Sequence, residues 1–190
     1  MSILTFDNRT NGQPLDVALA YATRSDFQRI FTEDMGSLHL LALILTADAA
    51  KAEQVFVAGL QESIHGNPVF KEWARSWSKR VIIRNAIRLL APCPSAPEGP
   101  ALSECAPDGA IADAVLEKDS WIATIMQLPA FERFVFVILV LEGHSESDCA
   151  SLLGCGMQEM IRARSRALES IAAARASNPL SQNTQSASLP

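Results

Sequence analysis

The chain has 190 residues, of which 48% are hydrophobic and 19% are charged. This composition is typical of a folded protein and excludes a chain that is disordered throughout. The net charge of −5, taken alone, argues against a protein that lives on nucleic acid. We expect a cytoplasmic protein without a membrane span, because the sequence has neither a secretion signal nor a run of about 18 uncharged apolar residues.

The first part of the chain predicts helices, because apolar residues recur at steps of three and four. Asp48 is placed to cap a helix over residues 49–63, and a turn follows at residues 63–68. Pro68 suits the first turn of a long helix that ends at Leu90. The apolar residues that recur in this way before Asp48 are Phe27, Ile30, Phe31, Leu38, Leu41 and Leu45.

Prolines are dense between residues 91 and 111, where they exclude a helix and favour an extended, semi-stiff linker. We therefore predict an all-α protein with two small helical lobes, at residues 14–90 and 112–175. Residues 1–13 form an N-terminal extension, and the polar residues 176–190 lack the apolar surface that would order them. The linker prolines are Pro92, Pro94, Pro97, Pro100 and Pro107.

The second lobe predicts four helices, of which the first two cover residues 112–126 and 129–142. Ser145 is a good N-cap for a short helix that stops at Gly154, and a last helix follows at residues 157–175. The last two helices and the turn between them have the lengths of a helix-turn-helix. A pair of helices that merely pack together is the alternative.

The long helix of the first lobe is strongly cationic although the chain is acidic. Cations at four-residue spacing beside Trp73 and Trp77 suit a nucleic-acid strand, with phosphates on the cations and unpaired bases stacked on the rings. In the alternative interpretation both tryptophans are core residues and the cations form a solvated face. The cations are Lys71, Arg75, Lys79, Arg80, Arg84 and Arg88.

The last helix has an outward face that could reach bases or phosphates in a major groove. Its predicted inner side is apolar and consists of Met157, Met160, Ile161, Leu168 and Ile171. The residues predicted to face outward are Gln158, Arg162, Ser165, Arg166 and Glu169.

Residues 128–167 resemble region 4 of sigma factors, whose pattern is roughly LPxxxRxxFxLxxxEGxSxxxxAxxLG and ends in Arg-Ala. Residues 41–60 and the segment from Phe70 to Leu89 are similar to sigma region 2. With only a linker between the lobes, the chain resembles a divergent extracytoplasmic-function (ECF) sigma factor. The matching positions of the region 4 pattern are Leu128, Pro129, Arg133, Phe136, Glu142, Gly143, Ser145, Ala150, Leu153, Gly154, Arg166 and Ala167.

The resemblance implies that RNA polymerase core and promoter DNA are partners, and it makes an anti-sigma factor a candidate partner. The helix from Asp48 to Glu62, with Glu53 best placed, would dock on the clamp helices of the polymerase. The turn at residues 63–69 and the basic helix would capture the melted −10 strand. The last helix, through Arg162 and Arg166, would read the −35 element.

We expect a binding protein and not an enzyme, because no catalytic triad, phosphate-binding glycine loop or metal-ligand cluster stands out. No cofactor or metal is expected, and the cysteines are expected to be buried or semi-exposed thiols. The alternative function is a sigma-like regulatory module that has lost promoter recognition, which the acidic balance and Ile161 in the last helix favour. The four cysteines are Cys93, Cys105, Cys149 and Cys155.

Overall fold

The computed structural model describes residues 20–94 and 120–176. These residues form helices and connecting loops, with a single isolated bridge between Tyr21 and Phe70. The predicted all-α class is therefore confirmed. The predicted N-terminal extension, most of the linker, the first half of the predicted helix at 112–126 and nearly all of the predicted tail lie outside the described residues.

Four α-helices form the first lobe within the described part of the chain. They are α1 (Arg24–Glu33), α2 (Met35–Thr46), α3 (Ala49–His65) and α4 (Ala74–Leu90), with a 3₁₀ turn at Lys71–Trp73 before α4.

The second lobe contains α5 (Ser120–Met126), α6 (Ala130–Phe136), α7 (Glu146–Leu153) and α8 (Met157–Ala176). Helix α6 continues into a π-helical turn at Val137–Leu141, in which the amide of Glu142 donates to the carbonyl of Val137. A π turn holds one more residue than an α turn.

Side-chain caps begin two of these helices at the predicted places. The Asp48 carboxylate accepts from the amide of Lys51 at 3.0 Å, and the Ser145 hydroxyl accepts from the amide of Asp148 at 3.1 Å. Gly154 ends α7 with φ +61°, a left-handed conformation that glycine adopts without strain. These local signals explain why the short helices start and stop where they do.

The long basic helix begins later than predicted. Phe70 is extended, and the neighbouring carbonyl of Val69 accepts from the amide of Ala22 at 2.7 Å, so the backbone here pairs across the lobe. The prediction that Pro68 opens the helix is therefore wrong. Helix α3 also runs to His65, which shortens the predicted turn to the residues after it.

Helix α2 is the centre of the packing. It is apolar nearly all round, and such a helix must be covered on all sides. Helices α1, α3 and α4 pack against it from the first lobe, and α5 and α6 pack against it from the second. One hydrophobic core therefore runs through both lobes. The buried residues of α2 are Leu38, Leu41, Ala42, Leu43, Ile44, Leu45 and Thr46.

Arg133 of α6 lies inside this core with 7% of its surface exposed. Its guanidinium donates from Nε to the carbonyl of Leu45 at 3.2 Å and from Nη1 to the carbonyls of Met126 and Leu128 at 3.0 Å. These bonds satisfy carbonyls at the C-terminal ends of α2 and α5, where a cation is favoured. Burial lowers the pKa of Arg133 to about 10, which leaves it charged at neutral pH.

Gly59 allows α3 and α4 to approach closely. A Cβ at this position would lie 2.6 Å from Cδ1 and 3.4 Å from Cγ1 of Ile82, which is fully buried. Gly36 in α2 is the opposite case, because nothing lies within 4 Å of the position that its Cβ would take.

We expect Gly59→Ala to lower the free energy of unfolding by about 1 kcal/mol, because overpacking outweighs the gain in helix propensity. We expect Gly36→Ala to raise it by about 0.5 kcal/mol, since only the propensity changes. Urea denaturation followed by circular dichroism measures both values. Equal effects of the two substitutions would contradict the close contact between α3 and α4.

Candidate nucleic-acid interface

The cations that precede and line α4 are mostly held by acids of the protein itself. Arg80 is the exception, since the described residues supply no carboxylate within ion-pair distance of it. The pairs are Lys71–Asp26 at 3.8 Å, Arg75–Glu33 at 2.5 Å, Arg75–Asp34 at 2.7 Å, Lys79–Glu142 at 2.9 Å, Arg88–Glu62 at 2.7 Å, and Arg84–Glu62.

This pairing explains how a strongly cationic helix fits an acidic protein. Most of the paired cations remain substantially exposed, and exposed ion pairs contribute only about 0–1 kcal/mol each. Phosphates could therefore compete for these cations. Most of the positive charge of this face is consequently balanced by acids of the protein itself, and a phosphate would have to displace those acids to reach the paired cations.

Trp73 belongs to an exposed aromatic cluster, which we define as Tyr21, Phe70 and Trp73. The rings of Tyr21 and Phe70 are stacked, with centroids 4.6 Å apart and planes 18° apart. Trp73 meets Phe70 edge to face at 5.3 Å and keeps 58% of its surface exposed. A ring with a free face beside Lys71 has the chemistry that stacks on an unpaired base.

Trp77 has a different environment from Trp73. The 3₁₀ turn that carries Trp73 changes the register that a continuous helix would have given. Trp77 is half-buried against the small cluster of Phe27, Ile30, Val69 and Ala74, and Arg84 lies over its ring at 5.4 Å. Trp77 is therefore chiefly a packing residue.

We expect Trp77→Ala to lower the free energy of unfolding by about 2–4 kcal/mol, because it removes a packed ring. Trp73→Ala removes an exposed ring, and we expect it to change stability by less than about 1 kcal/mol. Urea denaturation measures both, and acrylamide should quench the fluorescence of Trp73 more than that of Trp77. A larger loss of stability for Trp73→Ala would contradict these positions.

The second lobe ends in a compact helix-turn-helix. Gly156 starts α8, and the Glu159 carboxylate accepts from its amide at 2.9 Å, so this acid closes the turn. The residues predicted to face outward on α8 are all exposed, as the helical spacing predicted: Gln158, Arg162, Ser165, Arg166 and Glu169.

The inner side of α8 differs from the prediction. Met157 and Leu168 are exposed and do not belong to it, whereas the small residues Ala163 and Ala167 are fully buried with Met160. Small side chains let α8 lie close to α6, which is its main neighbour. The buried face of α8 is therefore narrower than the face predicted from its large apolar residues.

Acids hold two of the arginines of α8. Arg166 donates from Nε to Glu132 Oε1 at 2.5 Å, and Glu132 is almost completely buried in α6. Arg164 donates to Glu146 of α7 at 2.8 Å, which ties the two helices of the motif together. Arg162 is exposed and has no such partner among the described residues. Of the two arginines predicted to read DNA, Arg162 is therefore more available to a ligand than Arg166.

The three residues predicted to bind polymerase lie on α3 in different situations. Asp48 is the N-cap, and the amide of Lys51 lowers its pKa. Glu53 is exposed on the outer face of α3, in a shallow depression that Val57, with its exposed side chain, also lines. Glu62 points towards α4. Asp48, Glu53 and Glu62 therefore do not form one acidic cluster.

Glu62 links α3 to α4. It accepts hydrogen bonds from Arg84, from Asn85 at 2.8 Å and from Arg88 at 2.7 Å. Burial opposes ionisation of this carboxyl, but the hydrogen bonds from Asn85, Arg88 and Arg84 outweigh it and lower the pKa below its usual range. Glu62 is therefore charged at neutral pH and supports the fold of the first lobe.

We expect Glu62→Gln to lower the free energy of unfolding by about 1–2 kcal/mol at pH 7, because two arginines lose a charged acceptor. A carboxyl with a lowered pKa stabilises the fold above its unfolded-state pKa, and that contribution disappears as the pH falls through the folded-state pKa. The difference from wild type should therefore shrink below about pH 4. Urea denaturation from pH 3 to 8 measures it, and a difference independent of pH would contradict the role of the charge.

The described cysteines vary in exposure. Cys93 is exposed, Cys155 is half-buried and Cys149 is buried. Burial raises the pKa of the Cys149 thiol to about 12, and burial followed by Glu159 raises that of Cys155, so both thiols are protonated at neutral pH. Cys105 lies outside the described residues.

Residues 20–94 and 120–176 contain no group of three or more His, Cys, Asp or Glu side chains that could hold a metal ion. Among the helices described, none combines the length and the hydropathy needed to cross a membrane.

The ion-pair partners were absent from the sequence-based interpretation. Glu132 lies within an apolar run and Glu142 directly follows it. Because an acid is rarely buried without a partner, these positions could have indicated that both carboxylates form ion pairs. The sequence around Asp26, Glu33 and Asp34 contains no comparable indication that these acids pair with distant cations, because Asp26 is explained by its capping box.

No protein-family model and no curated protein matches the chain. Among the solved structures, it is similar to a chain of the co-crystal structure of the sigma factor RpoE in complex with the anti-sigma factor NepR from Bartonella quintana. That match covers 80% of this chain and 98% of the other, with 19% sequence identity and a TM-score of 0.45.

Proposed function

We propose that this protein is a sigma factor-like subunit that directs RNA polymerase to promoters, and that it is a binding protein without enzymatic activity or cofactor. The observation that carries the proposal is the helix-turn-helix of α7 and α8, whose exposed face is formed by Gln158, Arg162, Ser165 and Arg166. This motif lies within the stretch that resembles sigma region 4.

The positions of that pattern have identifiable structural roles, which supports the resemblance. Pro129 precedes α6, Arg133 caps two helix ends, and Gly143 adopts φ +67° after the π turn. Ser145 caps α7 and Gly154 ends it. Because each residue type suits its local conformation, the pattern is more than a chance match of composition.

The exposed face of α8 has the size and polarity for major-groove contact. An amide and a hydroxyl accompany two arginines, and such a set can hydrogen-bond to both phosphates and base edges. On this proposal Arg162 contacts DNA directly, because it has no ion pair to break. Arg166 must first break its ion pair with Glu132 before it can bind DNA. Binding by α8 alone is then weak, and the polymerase supplies most of the affinity.

The first lobe contributes the other two contacts of the proposal. The aromatic cluster and the cations before and along α4 receive the melted −10 strand, with Trp73 as the stacking ring. The outer face of α3 docks on the polymerase through Glu53 and the exposed side chain of Val57. Asp48 and Glu62 position that face by capping α3 and by fixing it to α4.

The test combines purified protein with core RNA polymerase in size-exclusion chromatography, followed by selection of genomic promoter fragments. We expect co-elution and a shared −35 and −10 pattern among the selected fragments. Arg162→Ala should lower promoter affinity about three- to tenfold and reduce the slope of log affinity against log salt by about 1. The matched control is Arg175→Ala, which removes an exposed arginine from the end of the same helix.

Absence of co-elution at micromolar concentrations would contradict the proposal. Equal effects of Arg162→Ala and Arg175→Ala on promoter affinity would contradict DNA reading by the exposed face of α8, even with polymerase bound.

A second candidate function is a sigma-like regulatory module that has lost promoter recognition. The internal pairing of Arg164, Arg166 and most cations of the first lobe favours it, because these charges already have partners. Co-elution with polymerase without selection of DNA fragments would support this function over the first. An anti-sigma factor is a candidate partner in both cases.

A further inference from the structure

Three polar side chains of α8 form one row along the helix. Gln158, Arg162 and Ser165 follow each other at steps of four and three residues, so they lie on the same face. At 100° per residue, this face is opposite the one that contains the buried residues Met160 and Ala167. The row therefore points away from the second lobe and is the part of α8 that a large ligand reaches first.

The protein leaves this row free while it holds the charges beside it. In the described part of the chain, no hydrogen bond or ion pair involves the side chain of Gln158 or of Arg162. The arginines on the two sides of the row have partners, since Arg164 binds Glu146 of α7 and Arg166 binds Glu132 of α6. Contacts of the row with a ligand consequently break no contact within the protein.

The position of each group on α8 decides which part of DNA it would meet. A helix in the major groove has one face towards the base edges and two sides towards the sugar-phosphate walls. The free row would face the base edges, whereas Arg164 and Arg166 would lie along the walls. Sequence is read at base edges, so the row is the part of α8 that can distinguish one sequence from another.

Gln158 and Arg162 differ in the base that each can recognise. A glutamine carboxamide forms two hydrogen bonds with N6 and N7 of adenine, and an arginine guanidinium forms two with O6 and N7 of guanine. The hydroxyl of Ser165 can donate or accept, so it bonds to either base or to a phosphate and selects neither. The preference of α8 for particular bases therefore depends on Gln158 and Arg162.

The spacing of these two residues limits the spacing of the bases. Four residues advance about 6 Å along an α-helix, and neighbouring base pairs are about 3.4 Å apart. The two bases are therefore one or two base pairs apart. Glu169 continues the row towards the C-terminal end of α8, but recognition helices read bases with their N-terminal residues, which leaves this acid outside the contact.

We propose that Gln158 and Arg162 determine the sequence that α8 reads, with Gln158 selecting an adenine and Arg162 selecting a guanine one or two base pairs away. The location of these bases in an element upstream of a promoter rests on the proposed function. The base preferences themselves rest on the chemistry of the free row.

The experiment selects bound DNA from a library of randomised duplexes. The full-length chain is used with core RNA polymerase, and the selection is repeated with the chain alone at low salt, where phosphate contacts are strongest. We expect the wild type to enrich an adenine and a guanine one or two base pairs apart. Each should be preferred about five- to hundredfold over the other bases at its position.

Two exchanges test the residues one at a time. Arg162→Gln should replace the preferred guanine by adenine and leave the other position unchanged, and Gln158→Arg should replace the preferred adenine by guanine. Both side chains are exposed, so neither substitution changes the core, and circular dichroism checks that the variants remain helical. The matched control is Arg175→Gln, the same substitution as Arg162→Gln at the exposed end of α8, which should leave both preferences unchanged.

Each residue's assignment stands or falls with its own variant. An unchanged preference in Arg162→Gln or in Gln158→Arg would overturn the assignment of that residue, and the same change in Arg175→Gln would overturn both. If the chain does not bind polymerase but enriches the two bases alone, the base preferences stand and the proposed function fails. If the polymerase complex selects promoters whose bases respond to neither exchange, the proposed function stands and the assignment is wrong. No enrichment with or without polymerase would overturn both proposals.

Discussion

The architecture depends on one constraint, which is that α2 is apolar on nearly every side. A helix of this kind cannot remain at the surface of either lobe, because water would contact its outer face. Helices α1, α3 and α4 cover only part of it, and the second lobe covers the rest. The position of the helix-turn-helix relative to the basic helix is thus a consequence of covering α2, and the charged contacts between the lobes refine a packing that hydrophobic burial already favours.

The distribution of charge follows from that packing. Most of the cations predicted to bind nucleic acid have an acidic neighbour, which is why an acidic protein can contain a strongly basic helix whose charge is largely balanced. An internally paired cation can still bind phosphate, but the acid must leave first. Discrimination between DNA and other polyanions would then come from geometry more than from net charge.

The local structure could be predicted from the sequence because its signals are local. The caps at Asp48 and Ser145, the stop at Gly154 and the outward face of α8 each depend on residues within one or two helical turns. The partners of the cations could not be predicted, since Lys79 and Glu142 are 63 residues apart and helical periodicity contains no information about which faces meet. The different environments of Trp73 and Trp77 could not be predicted for a similar reason, because the bridge between Phe70 and Tyr21 joins residues 49 positions apart.

The π turn at Val137–Leu141 makes the length of α6, and not only its composition, a determinant of the whole molecule. One added residue turns the chain after it by about 100° relative to a regular helix. A homologue with one residue fewer in this turn would form an ordinary α-helix, carry its acid away from Lys79 and point a different side chain at the first lobe. Single-residue insertions and deletions at this site are therefore a simple route by which related chains could acquire or lose the association of their lobes while every helix is retained.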